Sequence, residues 1–435
     1  MQSIEFFAKD EMKEQKIKQI LKEALKEIQP EQGYEDEIFG KLNIIIKKIN
    51  DGQKNFKAVL GGSGAKGTWL RTFDADIFVL FNYSIFKDKS EKLSDILEKT
   101  LKRKFRNVIR LHGSRDYFQI RQGSFTFEIV PILKIQKAEQ AKNITDVSPL
   151  HSNWVLKHKE LSGQMKLAKQ FCHAQNIYGA ESYIRGFSGY TCEILIAHYG
   201  SFLNLIKNAA RWGERQVIDA EKYYRGRDVF KLVNTSKLVS PLAVIDPVQK
   251  ERNAAAALSH ENFEKFKNSC REFLKNPSKE FFTKKNLKSV FAADKPQKLI
   301  AVKIKPLDGK SDIIGSKLLK IYGFLKQEFE NHDFQILKAD WEWDKRNDAV
   351  FYFSFEKNKK LPNIIEISGP PVKIKNHAEN FRKIHKKTFV KSGRLFALEK
   401  RKFGAQENLL RQLIKRDFVM ERCRSASLQL ISPAD

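Results

Sequence analysis

The sequence predicts an α+β protein of several domains, and three observations carry that reading. Short apolar runs bounded by turn residues, from "FKAVLGG" to "FEIVPILKI", read as strands with a helix near 89–104. Long helical patterns then fill roughly 153–275, and the last third alternates strand, helix, strand, strand. With 435 residues, 41% of them hydrophobic, the chain has length for about three domains and enough apolar side chains to fill their cores.

Taken in order, residues 1–50 are helical, and "MQSIEFFAKDEMKEQKIKQILKEALKEI" has neither an apolar core nor a small-residue cleavage site. It reads as a charged amphipathic helix of a cytosolic protein. "VSPLHSNW" reads as a connection, because Pro149 disfavours helix at the residue before it. A polar loop around "YYRGRD" interrupts the helical region, and "KNPS" at 275–278 ends it. "LIAVKIKP" is a strand, and Leu318, Ile321, Leu325 and Phe329 form a helical stripe. Strands at "FQILKADWEW", "AVFYFSF" and "NIIEIS" follow, then a basic helical stretch after Gly369-Pro370-Pro371. That order points to a helix packed on an antiparallel sheet. There are no internal repeats and no low-complexity segments.

Lys and Arg number 80 against 52 Asp and Glu, a net charge of +28. Such an excess points to a polyanionic partner; the plainer alternative is adaptation to a particular intracellular milieu. No apolar run approaches the ~20 residues a membrane span needs. The cysteines, Cys172, Cys192, Cys270 and Cys423, lack C-x-x-C spacing and read as buried small hydrophobes rather than zinc ligands or disulfides.

The stretch "GGSGAKGTWLRTFDADIFVLF", Gly61 to Phe81, carries the chemistry. Its Gly62-x-Gly64-x-x-Gly67 pattern imitates a dinucleotide fingerprint, but the next strand starts within about ten residues of Gly67, too soon for a parallel crossover. No kinase motifs follow it, and Lys66 precedes its glycine, unlike the lysine of a Walker loop. What remains is a glycine turn followed by Asp74-x-Asp76 on an apolar strand. Residues two apart on a strand share a face, and a divalent cation removes the repulsion between two adjacent carboxylates. An exposed acidic strand end is the alternative. Glu128 in "SFTFEIVPILKI" is the expected third carboxylate, unless it pairs with a surface lysine at a sheet edge. Three such acids suit two Mg²⁺ ions about 4 Å apart and in-line phosphoryl transfer. Gly62 and Ser63 would supply N–H groups and a hydroxyl to a triphosphate, and Lys66 positive charge.

Gly-Ser, about ten residues, Asp-x-Asp and a third acid together resemble the DNA polymerase β-type nucleotidyltransferases. "GTWLRTFDADIFVLF", "SPLHSNW", "IYGAESYIRGFSGYTCEILIAHYGSF", "DPVQKERNAAA" and "SGPPVKIKNHAENF" narrow the resemblance to the archaeal (class I) CCA-adding tRNA nucleotidyltransferases over nearly the whole chain. It implies a polymerase β-like nucleotidyltransferase head (1–150), a helical neck with nucleotide-contacting residues (151–275) and an α+β RNA-binding body and tail (276–435).

By that resemblance the protein completes the 3′-terminal CCA of tRNA from CTP and ATP without a template, in the cytoplasm. Asp74, Asp76 and Glu128 match the metal-binding carboxylates, and Ser63 and Lys66 the triphosphate loop. His151 matches a nucleotide-contacting histidine, Lys169 and Tyr178 match triphosphate holders, and Arg252 an arginine that helps select the base. Glu128 stands where the family usually has Asp, and Lys66 where it usually has Arg, which keeps the charge but loses the bidentate fork. Each residue also has a plainer reading: His151 as a loop hydrogen-bonder, Lys169 on a solvated helix face, Tyr178 as packing at a helix end, Arg252 as the cap of a turn. The expected partners are tRNA, CTP and ATP, with no membrane and with a homodimer left open. The rivals are a poly(A)-type or oligoadenylate-type transferase and a catalytically dead RNA-binding protein of the same fold.

Overall fold

Two apolar stripes at helical spacing open the chain. Ile17, Leu21, Ala24 and Ile28 lie on α1 (Gln2–Ile28), and Ile38, Leu42, Ile45 and Ile49 lie on α2 (Gln32–Asn50). The helices part at Pro30, whose ring cannot continue an α-helix. Their stripes go to different cores. That of α2 packs on a sheet, with Ile77, Val79, Phe81 and Ile129, whereas that of α1 packs among helices, with Met165, Phe171 and Phe202. The computed structural model describes residues 2–71, 75–123, 125–227, 229, 239–293, 297–345, 347–357 and 361–430. It forms two compact units, Met1–Lys284 and Lys285–Asp435.

The sheet of the first unit has the order β1-β2-β5-β4-β3. β1 (Phe56–Leu60) and β2 (Ala75–Asn82) run antiparallel on either side of the glycine-rich turn. β2 pairs parallel with β5 (Phe125–Lys134), which continues antiparallel through β4 (Tyr117–Gln122) to β3 (Val108–Leu111). The helix Leu93–Lys104 supplies the crossover and buries Leu93, Leu97 and Leu101. Period-2 alternation sends Ile77, Val79, Phe81, Phe127 and Ile129 into this core, leaving Asp76, Phe78 and Glu128 on the other face.

"VSPLHSNW" corrects the sequence reading. It is not a connection: Ser148–Leu156 is a helix with Pro149 in its first turn. There the missing N–H of proline would have had no intrahelical acceptor, so the ring costs nothing. The helices Ser162–Ala174, Gly189–Tyr199, Phe202–Ala209 and His260–Lys275 follow, with a two-stranded parallel sheet, β6 (Gln216–Ile218) and β7 (Leu242–Val244), that the helical pattern did not announce. Beyond Lys275 the chain stays with this core. Phe281 stacks 6.2 Å from Phe171, Phe282 lies edge-on to it at 5.9 Å, and Gln170 Nε2 donates to the Phe282 carbonyl at 2.6 Å.

The second unit packs the helix Ser311–Asn331 on an antiparallel sheet ordered β14-β8-β10-β9. Its strands are β8 (Gln297–Pro306), β9 (Ile336–Glu342), β10 (Ala349–Glu356) and the final β14 (Cys423–Leu430). Leu318, Ile321, Leu325 and Phe329 are all buried, as their spacing predicts. A separate sheet joins β11 (Ile364–Pro371), β13 (Arg394–Lys400) and β12 (Thr388–Lys391) beside the helix Lys375–Ile384. The basic stretch after Pro371 is therefore a helix and then a hairpin. All four cysteines are buried and unbridged. Among the described residues no helix is long and apolar enough to cross a membrane.

One buried ion pair fixes the approach to the helix at Ser148. Asp146 is fully buried, pairs with Arg115, and accepts from the backbone N–H groups of Leu133, Lys142 and Asn143 at 2.9–3.0 Å. Asp146→Ala leaves Arg115 buried and unpaired, so urea melting should show a loss of about 3–5 kcal/mol. A loss below about 1 kcal/mol would mean that other contacts define this approach.

Candidate active site

The site grows from the pairing of β2 with β5. In a parallel ladder, residues in register share a face, and Asp76 is in register with Glu128. On the other side of Glu128, Gln119 of β4 is in register with it and donates from Nε2 to Glu128 Oε1 at 2.8 Å. The Gly61 N–H donates to the Asp76 carbonyl at 2.8 Å and holds the glycine turn over this strand. Gly62 follows with φ +55, and a Cβ there would overlap the Asp76 carboxylate. Only glycine satisfies both conditions. Asp74 lies outside the described residues. Among the described residues no three His, Cys, Asp or Glu side chains gather as a metal site. The Asp76–Glu128 pair and the space that Gly62 preserves beside it nevertheless have the chemistry a divalent cation requires.

Ser63 and Lys66 sit on the one-turn helix Gly62–Lys66, and the Ser63 carbonyl accepts from the Thr68 N–H at 3.2 Å. This turn aims Lys66 and Thr68 at Glu193, a fully buried carboxylate on the helix Gly189–Tyr199. Lys66 reaches Glu193 Oε2 at 2.7 Å; the Thr68 hydroxyl and Lys169 reach Oε1 at 2.5 and 2.7 Å. Lys169, expected as a solvated or phosphate-holding side chain, is 2% exposed and donates to Thr68 as well. Burial alone would raise the Glu193 carboxyl, but Lys169 and Lys66 outweigh it and hold it down at about 2. Burial pulls the Lys169 ammonium below its ordinary value, only partly offset by Glu193. Tyr178 stacks on His173 at 3.9 Å; a Cβ on Gly189 would lie 2.7 Å from the Tyr178 hydroxyl and 3.6 Å from Lys169 Nζ.

A second buried carboxylate organises His151 and Arg252. Asp246 receives Arg252 Nη1 at 2.5 Å, the Tyr190 hydroxyl at 3.2 Å and the Val248 N–H at 2.8 Å. His151 stacks on Tyr190 at 4.2 Å, and its Nε2 lies 3.1 Å from Asp246 Oδ2. That contact is off the hydrogen-bond direction, so the buried Nε2 has no hydrogen-bond partner among the described residues. Burial would raise the Asp246 carboxyl, yet His151, Arg252 and the Val248 N–H hold it at about 2. Lys66 lies 6.0 Å from the Tyr190 ring centroid and so links the two clusters.

The structure thus joins Gly62 to Asp76, Lys66 to Lys169 through Glu193, and His151 to Arg252 through Asp246. Sequence reasoning did not single out Glu193, Asp246, Tyr190 or Thr68. Two had a signal: Glu193 is a lone acid in "YTCEILIA", and Asp246 ends the apolar run "LAVI" just before a proline.

Comparison with known proteins matches each part of the chain to a domain family. A nucleotidyltransferase domain model matches residues 42–144, a tRNA nucleotidyltransferase second-domain model 163–283, and a CCA-adding enzyme C-terminal domain model 295–420. The CCA-adding enzyme of Methanocaldococcus jannaschii is 33% identical over 412 residues, covering 92% of this chain and 91% of its own. That of Nanoarchaeum equitans is 32% identical, covering 84% and 89%. The chain belongs to the CCA-adding enzyme family, with a nucleotidyltransferase domain at its head.

Proposed function

We infer that the protein adds and repairs the 3′-terminal CCA of tRNA, using CTP and ATP and releasing pyrophosphate. The observation that carries this reading is the Asp76–Glu128 register beside the Gly62 turn, in a chain of this family. Asp74, Asp76 and Glu128 would hold two Mg²⁺ ions, which when bound lower the pKa of an attacking hydroxyl and neutralise a leaving pyrophosphate. The chain's own residues do the rest. Gly62 keeps the space beside Asp76 open, Ser63 and Lys66 face the triphosphate, and Lys169 and Tyr178 support them from the neck. His151 is held against Asp246 and Tyr190 beside the base position, and Arg252, 36% exposed, offers its fork to the base.

The division of labour follows three stretches: a catalytic head (1–150), a helical neck (151–275) with Phe281 and Phe282 packed on it, and a body and tail (276–435). The last would grip the acceptor arm through backbone and shape, as RNA helices are gripped. The excess positive charge serves that contact, and the reading puts the enzyme in the cytoplasm. Incubating tRNA that lacks CCA with each labelled triphosphate and Mg²⁺ tests it. Ordered addition of C, C and A is expected, whereas a homopolymer made from ATP alone would favour a poly(A)-type enzyme.

Asp76→Asn should lower incorporation by more than about 100-fold, beyond the 10–100-fold typical of losing an outer-shell partner. Its tRNA affinity should stay within a few-fold of wild type. Glu128→Asp should keep substantial activity and Glu128→Gln should not; wild-type activity in the Gln variant would move the third carboxylate elsewhere. Affinity for tRNA should fall by about 10³ or more between about 50 and about 200 mM salt, and a flat response would assign the charge another purpose. Arg252 can donate to acceptors on cytosine and adenine, whereas uracil presents a donor at N3. Arg252→Ala should therefore admit UTP or GTP, or slow CTP and ATP addition, as read by sequencing products made from all four triphosphates. Unchanged C, C and A addition at the normal rate would make Arg252 structural.

A further inference from the structure

The head sheet carries a cleft of about 770 Å³ at the end where β1 begins and where β2 and β5 finish, a size within the range of small-molecule sites. Asp76 and Glu128 lie towards the other end. Asn82, which lines the cleft, is six residues along β2 from Asp76, roughly 20 Å at ~3.3 Å per residue. Three lysines line the cleft, Lys54, Lys57 and Lys134, and no Asp or Glu does, in a chain with 52 acids. None of these ammonium groups makes a hydrogen bond or an ion pair among the described residues. Strand pairing holds two of them close: Lys134 is in register with Asn82, and Lys57 with Leu80. The lining amides add donors rather than acceptors. Asn82 Oδ1 accepts from the Ser84 N–H at 3.1 Å and the Ser84 hydroxyl at 2.8 Å. Gln140 Oε1 accepts from the Gln136 and Lys137 N–H groups at 2.8 and 3.1 Å. Those bonds fix which end of each amide is oxygen, and they leave the Asn82 and Gln140 NH₂ groups to donate.

We propose that this cleft binds the polyphosphate chain of a small anion, at a site separate from the catalytic one. A lining rich in donors and free of acids disfavours cations, and three ammonium groups suit the charge spread along linked phosphates. Size and lining favour a small ligand over RNA. Single-stranded RNA is held by stacking its bases on accessible aromatic rings, whereas here Phe56 is buried and Tyr83 is half-buried. The chemistry recognised is a linear polyphosphate, either inorganic or carried by a nucleoside. The inference stands apart from the nucleotidyltransferase reading, because neither Asp76 nor Glu128 lines the cleft.

The test is calorimetric binding of tripolyphosphate to the full chain in EDTA, in the wild type and in a Lys66→Met background that removes the lysine of the glycine turn. Tripolyphosphate should still bind to the Lys66→Met chain. In both backgrounds Lys57→Gln and Lys134→Gln, at exposed positions that leave the core untouched, should each weaken binding by roughly tenfold, the size of one charge-assisted hydrogen bond. Lys57→Arg and Lys134→Arg keep the charge and should keep the affinity. No binding, or binding that ignores both Gln variants, overturns the proposal. With Lys66 in place, the Gln pair should leave the KM for CTP within about twofold of wild type. A rise that matches the loss of tripolyphosphate affinity would put these lysines in the catalytic site and overturn it. A fall in tRNA affinity beyond about tenfold in the Gln pair, with tripolyphosphate unable to compete, would mean an RNA groove and equally overturn it. ATP in place of tripolyphosphate identifies the source. Equal affinity assigns the site to the phosphate chain alone, ATP tighter by more than about tenfold assigns it to a nucleotide, and either result supports the cleft as a polyphosphate site.

Discussion

The parallel pairing of β2 with β5 is the constraint on which the site depends. Every other strand contact in this sheet is antiparallel and joins neighbours in sequence. This one brings together segments separated by a helix and a hairpin, and it places Asp76 level with Glu128. A slip of one residue would turn one carboxylate into the core formed by α2 and the helix Leu93–Lys104. The register is held by the apolar residues behind it, Ile77, Val79, Ile129 and Leu133, all fully buried. The Asp76–Glu128 geometry is therefore set from the apolar face of the sheet, opposite the two carboxylates.

Charge is handled differently inside the first unit and outside it. Over the chain as a whole lysines and arginines predominate, 80 against 52 acids, as suits a polyanionic partner. Inside, single buried carboxylates organise several cations or N–H groups each: Asp146 with Arg115, Glu193 with two lysines, Asp246 with Arg252 and His151. An isolated buried carboxylate would be costly to desolvate, and each of these is compensated by direct partners. In a chain rich in cations, the acids buried among the described residues are those that define where cations point.

How far the sequence could be read follows from the range of the interactions. Strand alternation, the stripe Leu318–Phe329 and the antiparallel return from β1 to β2 are local, and the structure bears them out. Asp76 and Glu128 were legible because each breaks an apolar strand pattern. The helix at Ser148 was misread because proline disfavours helix before it in general but is harmless in a first turn. Glu193 and Asp246 escaped notice because their meaning lies in partners brought in by tertiary packing, such as Lys66. β14 was missed because "CRSASLQL" has no strong alternation; its place is fixed by the edge of β8 that it completes.

The aromatic seal on Phe171 bears on where the polypeptide can be divided. Phe281 and Phe282 cover that ring from beyond the last long helix of the first unit, and Gln170 and Gln175 tether their carbonyls. Severing the backbone after Lys275 would strip this cover and hydrate the helix that carries Lys169. Severing it after Lys284 would leave the cover intact. The separable half of this protein is thus defined by two phenylalanines rather than by the nearest break in helicity, and the seam available to a protease or to gene fusion begins after them.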